Sequence, residues 1–93
     1  MNYYTQLIFL KEGQVELFNY FEDQVLPLLD KYNGKLLYRI RPSRGNVIES
    51  TVGHPYEVHL VSFETREDFQ RYAQDPIRQK YMPLRNESIA KVM

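Results

Sequence analysis

His59 is the residue best suited to acid–base chemistry, because it stands in the middle of the apolar segment YEVHLVSFET, Tyr56 to Thr65. Burial among apolar neighbours disfavours a charged imidazole and leaves a neutral ring that can accept a proton or bind a ligand. The alternative is a structural histidine, in the core or at a dimer interface, with one hydrogen-bond partner. The face of the strand that His59 occupies decides between these interpretations, and the sequence leaves both open.

Glu57 and His59 are two residues apart in one strand, so they point to the same face, as a carboxylate–imidazole pair that binds a metal often does. His54 has the opposite parity and lies in the loop just before Pro55. A stable metal site normally uses three or four protein ligands, and only two are placed here. We therefore predict no metal site.

Arg39 and Arg41 share a face of the strand KLLYRIRP, and Arg44 follows closely in the next loop. Such a cluster could bind the carboxylate or phosphate of a small molecule, because a guanidinium offers two parallel donors. The alternative is an edge strand whose charges prevent aggregation and pair with acidic residues across the sheet.

The chain contains eight tyrosines in 93 residues. Four of them fall on or near the inner sides of the predicted helices, where the ring packs and the hydroxyl needs a partner: Tyr20, Tyr32, Tyr72 and Tyr81. If a pocket lies between helices and sheet, these hydroxyls with His59 or Tyr38 would be its polar points, and a flat apolar ligand would suit it. Packing around a small core is the alternative. The predicted ligand-binding residues are Arg39, Arg41, Tyr38, Tyr72 and Tyr81, with His59 as the catalytic candidate.

Composition restricts the remaining classes of function. A chain of 93 residues with 43% hydrophobic content supports one domain, residues 1–93. Twelve basic and twelve acidic residues give no positive field that would favour nucleic acid or an anionic membrane. No cysteine, cofactor motif, basic leader or long apolar segment is present. We therefore expect a cytoplasmic protein without a cofactor.

The first half of the chain predicts a strand, a helix and a second strand. Tyr3 to Lys11 is apolar on both faces, which is typical of a central strand. The following helix should be kinked by Pro27 and end at Asn33-Gly34. In the next strand we expect Leu36, Tyr38 and Ile40 on one face, and Lys35, Arg39 and Arg41 on the other. The apolar positions of the helix recur every three or four residues: Leu17, Phe18, Phe21, Val25, Leu28, Leu29 and Tyr32.

The second half predicts a long connector, a central strand, a helix and a final strand. Val47-Ile48 could add a short strand to the connector SRGNVIESTVGHP. Thr65 should cap the next helix, which should break and restart at Asp75-Pro76. We expect Pro83 to disrupt its last turn, before the strand IAKVM. The inward side of this helix should be formed by Phe69, Tyr72 and Ala73, and after the break by Ile77, Tyr81 and Leu84.

The order strand, helix, strand, strand, helix, strand predicts an α+β fold: a ferredoxin-like βαββαβ sandwich with a four-stranded antiparallel sheet and two helices on one face. The strands Tyr3 to Lys11 and Tyr56 to Phe63 are apolar on both faces. A second copy that packs its own sheet against the open face would cover that surface. We therefore predict a homodimer.

The chain also resembles a known family, over nearly its whole length. The resemblance rests on PLLDKYNG, the strand opening GK, NVIES, SFET, REDFQRY and DPIRQKYMPLRNES. These segments are similar to those of the uncharacterised bacterial family called domain of unknown function thirteen-thirty, in the dimeric α/β-barrel superfamily. The resemblance implies a ferredoxin-like protomer whose dimer closes into a barrel. The wider superfamily includes cofactor-independent monooxygenases, isomerases and ligand-binding regulators, so it implies no single activity.

Two functions follow from these observations. The first is a small-molecule-binding or accessory module in which His59 is structural. The alternative is a cofactor-independent enzyme of the monooxygenase, isomerase or lyase type, acting on a small aromatic or carboxylate-bearing compound. In that enzyme His59 would be the base, and Arg39 or Arg41 would hold the acid group.

Overall fold

The computed structural model describes residues 1–93. Its helices and strands are β1 (Asn2–Leu10), α1 (Val15–Val25), a 3₁₀ helix (Leu26–Tyr32), β2 (Gly34–Ile40), a short 3₁₀ turn (Arg44–Asn46), β3 (Glu57–Phe63), α2 (Arg66–Ala73), α3 (Pro76–Ser88) and β4 (Ile89–Val92). None of the helices has the length and apolar content needed to cross a membrane.

The four strands form one antiparallel sheet in the order β2-β3-β1-β4. This order and the sequence of elements confirm the predicted α+β arrangement, with the second helix divided into α2 and α3. In the central pair of strands Gln6 lies opposite His59, and on the other side Arg39 lies opposite the same histidine. His59 is therefore flanked by a side chain from each neighbouring strand.

Local sequence signals set the ends of the helices as predicted. Asn33 ends the 3₁₀ helix in the left-handed conformation, with φ of 56°. The Thr65 hydroxyl accepts a hydrogen bond of 3.0 Å from the Asp68 backbone N–H, which caps α2. The Asp75 carboxylate caps α3 by accepting from the N–H groups of residues 77 and 78 at 2.8 and 3.1 Å. Side chains that bond their own backbone are thus reliable markers in this chain.

Both prolines inside the predicted helices act differently from expectation. Pro27 does not merely kink the first helix, because the α-helix ends at Val25 and a 3₁₀ helix follows. A proline at the start of that 3₁₀ helix costs no hydrogen bond. Pro83 does not disrupt the last turn, since α3 runs through it to Ser88. Pro83 is exposed, so water can satisfy the carbonyl that loses its partner.

The predicted strand at Val47-Ile48 is wrong. Neither residue pairs with the sheet, and the Ile48 side chain is fully exposed. The connector instead makes a short 3₁₀ turn at Arg44–Asn46 and then crosses to β3 without regular structure.

Strand β2 contains a bulge, which the simple alternation in its sequence did not predict. Its register with β3 shifts between Leu36 and Tyr38, so Leu37 is an extra residue. Leu36 packs on the helix side with the cluster around Val61, whereas Tyr38 lies on the opposite, open face. The expectation that Leu36 and Tyr38 share a face is therefore wrong.

The hydrophobic core lies between the sheet and the helices in two clusters. One contains Ile8, Phe18 and Ile89, and the other contains Leu29, Val61 and Phe63. The opposite face of the sheet carries no helix. It presents the half-buried or exposed side chains Tyr3, Leu7, Tyr38, Ile40, Val58 and Leu60.

Candidate functional site

A cavity of about 220 Å³ lies between the sheet and the helices, beside the two core clusters. Thirteen of its eighteen lining residues are hydrophobic, and aromatic rings from β1, β3 and α2 form part of its wall. Tyr4 and Phe69 stack with their ring centroids 4.5 Å apart, and Phe63 meets Phe69 edge-on at 5.5 Å. The polar lining residues are Gln6, Glu22, His59, Arg78 and Arg85.

His59 faces the helices and lines this cavity, which answers the question that the sequence left open. It is 2% exposed, and its Nε2 atom is hydrogen-bonded to the Glu57 carboxylate. His59 has no other hydrogen bond to protein, so its Nδ1 atom has no partner within the chain. His59 is therefore hydrogen-bonded at Nε2 and has no partner in the chain at Nδ1.

Glu57 is fully buried, and three side chains bond it. Besides His59, Arg39 Nε donates to it at 2.9 Å and Arg41 Nε at 2.8 Å. Burial alone would raise the pKa of Glu57, but the hydrogen bonds from His59, Arg41 and Arg39 outweigh it and lower the pKa to about 2. An ionised carboxylate only accepts hydrogen bonds, so the His59 Nε2 atom carries the proton. When the ring is uncharged, Nδ1 presents a lone pair.

Arg39 and Arg41 are not brought to the cavity, although both were predicted to bind a ligand. The Glu57 carboxylate takes the Nε groups of both. Arg41 also donates to Asn19 at 2.9 Å and lies over the Tyr56 ring. The hydrogen bond to Glu57 raises the pKa of Arg41. These arginines stabilise the carboxylate that orients His59.

Of the three tyrosines predicted to bind a ligand, only Tyr72 lines the cavity. Burial raises the pKa of its phenol. Tyr38 is 59% exposed on the open face of the sheet, because the bulge in β2 turns it away from the helices. Tyr81 packs edge-on against Tyr20 with a centroid distance of 6.2 Å, outside the cavity.

Glu22 is a cavity residue that the sequence reasoning missed. It is 5% exposed and makes no hydrogen bond or ion pair with another residue. Burial raises the pKa of its carboxyl from 4.5 to about 7. A signal was present in the sequence, since Glu22 lies four residues after Phe18 and three before Val25, inside the apolar side of α1.

Arg78 and Arg85 of α3 were also missed, and both line the cavity. Neither forms an ion pair. Arg78 donates from Nη1 to the Ala73 carbonyl at 3.4 Å, but its Nε atom is buried without a partner. Burial lowers the pKa of Arg85, and the like charge of Arg78 lowers it further. Their seven-residue spacing places both on one side of α3, which is a detectable but weak signal.

The inward side predicted for α3 is correspondingly wrong in part. Ile77 is 46% exposed, while Arg78 takes the place beside the cavity. The helix therefore presents guanidinium groups where the apolar pattern predicted isoleucine.

No three His, Cys, Asp or Glu side chains come together in a way that could hold a metal ion. Glu57 and His59 are bonded to each other, and the His54 Nε2 atom is hydrogen-bonded to the Pro42 carbonyl at 2.6 Å. The arrangement can instead hold an uncharged or anionic organic molecule against two arginines. It can also accept a proton at His59 Nδ1.

Comparison with known proteins identifies the fold and little else. No protein-family model and no curated protein matches the chain. The resemblance to domain of unknown function thirteen-thirty therefore stays a prediction.

Several solved structures of proteins with unknown function are similar over 98% of this chain. The RPA0582 protein of Rhodopseudomonas palustris has a TM-score of 0.82 at 13% identity, with 75% of its own chain covered. A nipsnap family protein from Agrobacterium tumefaciens has a TM-score of 0.70 at 18% identity, with 80% covered. A dimeric protein with a ferredoxin-like fold from Bacteroides fragilis has a TM-score of 0.68 at 12% identity, with 88% covered. At these identities the similarity shows a shared fold and leaves the activity undefined.

Proposed function

We propose that this protein binds a small, flat, largely apolar organic molecule in the cavity between its helices and its sheet. The observation that carries the proposal is the cavity itself, about 220 Å³ with mainly hydrophobic walls and a few polar side chains. A cavity of roughly 150 Å³ is enough to bind benzene in another protein. The ligand expected here is thus a single ring with one or two substituents.

The kind of polar group at the cavity supports a ligand over a void. An empty cavity in a protein core is normally apolar, whereas this one is lined by a buried carboxyl without a partner, Glu22, and by two half-buried guanidinium groups without an acidic partner, Arg78 and Arg85. Burying such groups is costly unless something bonds them. Water would meet part of this need, and a polar substituent on a bound molecule would meet it together with the apolar walls.

Native mass spectrometry of freshly purified protein tests this proposal, since it reports a retained molecule directly. A variant that fills the cavity, Ala73→Leu, should lose the extra mass, because Ala73 lines the cavity. Ala90→Leu is the matched control, since Ala90 is exposed on β4 and outside the cavity. Retention of the same molecule by both variants would place its binding elsewhere and refute the proposal.

A second candidate function is a cofactor-independent enzyme in which His59 is the general base. The observation in its favour is the contact of His59 Nε2 with the ionised Glu57, which fixes the ring and leaves Nδ1 without a partner. A carboxylate–imidazole pair of this kind orients the base in many hydrolases and isomerases. The base would remove a proton from a carbon or hydroxyl of the bound molecule.

The variant His59→Gln separates this candidate from simple binding. An enzyme should lose turnover of the retained molecule while still binding it, because glutamine keeps a hydrogen bond to Glu57 but cannot act as a base. Turnover that His59→Gln leaves unchanged would show that His59 is structural. The same conclusion would follow if the wild type has no turnover and the variant binds the molecule normally but is much less stable.

We also propose that the protein works as a homodimer that covers the open face of the sheet. Tyr3 and Tyr38 on this face are 63% and 59% exposed. Leu60 on the central strand β3 is half-buried. The similar protein from Bacteroides fragilis is described as dimeric. Light scattering at micromolar concentration should give the dimer mass for the wild type and the monomer mass for Leu60→Asp. A monodisperse wild-type monomer would contradict the proposal.

A further inference from the structure

We propose that the ligand is a small aromatic carboxylate whose acid group binds Arg78 and Arg85, and that Glu22 takes up a proton when this carboxylate enters. The inference rests on the proposed function of the cavity and adds the chemical class of the ligand. It also adds a proton to the binding reaction.

The arginines of α3 lack an acidic partner, unlike Arg39 of β2 and Arg41 just after it. Arg39 and Arg41 each contact the Glu57 carboxylate within 3 Å. Arg78 and Arg85 have no carboxylate within 4 Å, yet both line a mainly apolar cavity. Both side chains are half-buried, so these two like charges repel each other and are only partly hydrated. An anion that bonds both side chains would relieve both penalties.

The second step concerns the form of the anion. The Nε atom of Arg78 is buried and has no hydrogen-bond partner. A guanidinium bonds a carboxylate through two parallel donors. The remaining walls of the cavity are hydrophobic and partly aromatic, so the body that carries the acid must be apolar. A free phosphate ion would bond the arginines but make no use of the apolar walls.

The third step is the role of Glu22, which lies in the same cavity with no bonded partner. Burial already raises the pKa of its carboxyl to about 7, so it is close to half ionised at neutral pH. A second negative charge in the cavity favours its protonated form. The charged or titratable groups that act on Glu22 are His59 and Glu57 of β3, Arg39 of β2, Tyr72 of α2, and Arg78 and Arg85 of α3.

The proton balance of the binding step follows from these contacts. The ligand enters as a carboxylate, and Arg78 and Arg85 stay charged. One proton moves from solvent to the Glu22 carboxylate in the fraction of molecules that were ionised. No covalent bond in the ligand forms or breaks, so the step is a linked protonation and not a reaction.

The test is isothermal titration calorimetry of benzoate at a pH of about 7.5, in two cationic buffers with different ionisation enthalpies, Tris and bis-tris. The dependence of the binding enthalpy on the buffer gives the number of protons taken up. We expect an uptake of more than about half a proton per benzoate in the wild type. Glu22→Gln should bind benzoate with no uptake, and Glu16→Gln, an exposed position on the same helix, should keep it.

A second pair of variants tests the place of the acid group. Arg85→Gln should weaken benzoate binding by at least about tenfold, since it removes a charged partner of the carboxylate. It should leave binding of uncharged benzyl alcohol unchanged. Arg44→Gln is the matched control, because Arg44 is exposed in the connector and outside the cavity.

Each other result contradicts a defined part of this inference. Benzoate binding without proton uptake would refute the role of Glu22 and leave the proposed function intact. Binding of benzyl alcohol but not benzoate would refute the carboxylate. Inorganic phosphate that competes as strongly as benzoate would refute the aromatic body. Failure of both aromatic probes, with no retained molecule in the mass spectrum, would refute the proposed function itself.

Discussion

Glu22 should make the ligand-free protein less stable as the pH rises, and replacing it with glutamine should remove this effect. Its pKa is about 7 in the folded state against an ordinary value of 4.5. At or below pH 4.5 the carboxyl keeps its proton in the folded chain at little cost. Above that pH the unfolded chain loses the proton first, so the free energy of unfolding falls until the pH passes the folded pKa.

The size of this effect follows from the shift of the pKa. A shift of about 2.5 pH units corresponds to about 3 kcal/mol, since each unit is worth about 1.4 kcal/mol. Most of that loss falls between about pH 5 and about pH 8. Glu22 is 5% exposed, so solvent screening reduces the value little. At pH 8, Glu22→Gln should therefore be more stable than the wild type by roughly 2 to 3 kcal/mol. At pH 5 the difference should be smaller, because the wild-type carboxyl is still largely protonated in the folded chain.

Urea unfolding followed by far-ultraviolet circular dichroism at the two pH values measures the effect, because the chain has no tryptophan for fluorescence. The difference in unfolding free energy between Glu22→Gln and the wild type should grow from pH 5 to pH 8. Glu16→Gln, at an exposed position of the same helix, should show no such growth. A difference that is equal at both pH values would refute the view that Glu22 is buried and unpaired.

Three further predictions concern other parts of the fold. Glu57→Gln should reduce the free energy of unfolding by about 3 kcal/mol at neutral pH, because the pKa of Glu57 is lowered in the folded chain. For the same reason the wild type should lose this stability as the pH falls from 4.5 to about 2. Unfolding free energies measured across this pH range check both, and a flat wild-type profile would contradict them. Gly34→Ala should reduce the free energy of unfolding by about 1 to 3 kcal/mol, since its new Cβ would lie 2.7 Å from the Phe63 ring. Gly45→Ala is the control and should leave the stability nearly unchanged, since no atom lies within 4 Å of its new Cβ. Equal urea midpoints for the two variants would show that the Phe63 ring moves freely. Thr65→Ala should cost about 1 kcal/mol through loss of the cap on α2, and an unchanged urea midpoint would show that the cap contributes nothing.

The sequence predicted those parts of the fold that depend on short-range chemistry. The caps at Thr65 and Asp75 involve a side chain and backbone within three residues, and the left-handed Asn33 bonds the Leu29 carbonyl of the preceding turn through its backbone N–H. The apolar residues on both faces of β1 and β3 predicted that these are the central strands of the sheet. These features depend little on the rest of the chain, so one sequence is enough to find them.

Features that depend on the neighbouring strand or helix were not predictable in this way. The bulge at Leu37 is a property of the pairing between β2 and β3, and it exchanged the faces of Tyr38 and Arg39 relative to Leu36. Pro83 stays within α3 because its neighbourhood is open to water. Local alternation and local propensity contain no information about either effect.

The candidate site was half predictable for a related reason. His59 could be found because a histidine interrupts an apolar strand, although its face could not be assigned without the packing of the helices. Glu22, Arg78 and Arg85 were missed because charged residues on a helix are normally solvated. The burial of Glu22 and the partial burial of the two arginines arise only once helices and sheet are assembled.

We propose that a small aromatic acid binds between the helices and the sheet of this protein. Intermolecular nuclear Overhauser effects between the ring protons of benzoate and the methyl groups of the protein test it most directly. Binding in the cavity should give contacts to Val25, Leu29 and Val61, whose side chains line it. Contacts confined to methyl groups of the open face, such as those of Leu7 and Leu60, or no contacts at saturating benzoate, would contradict it.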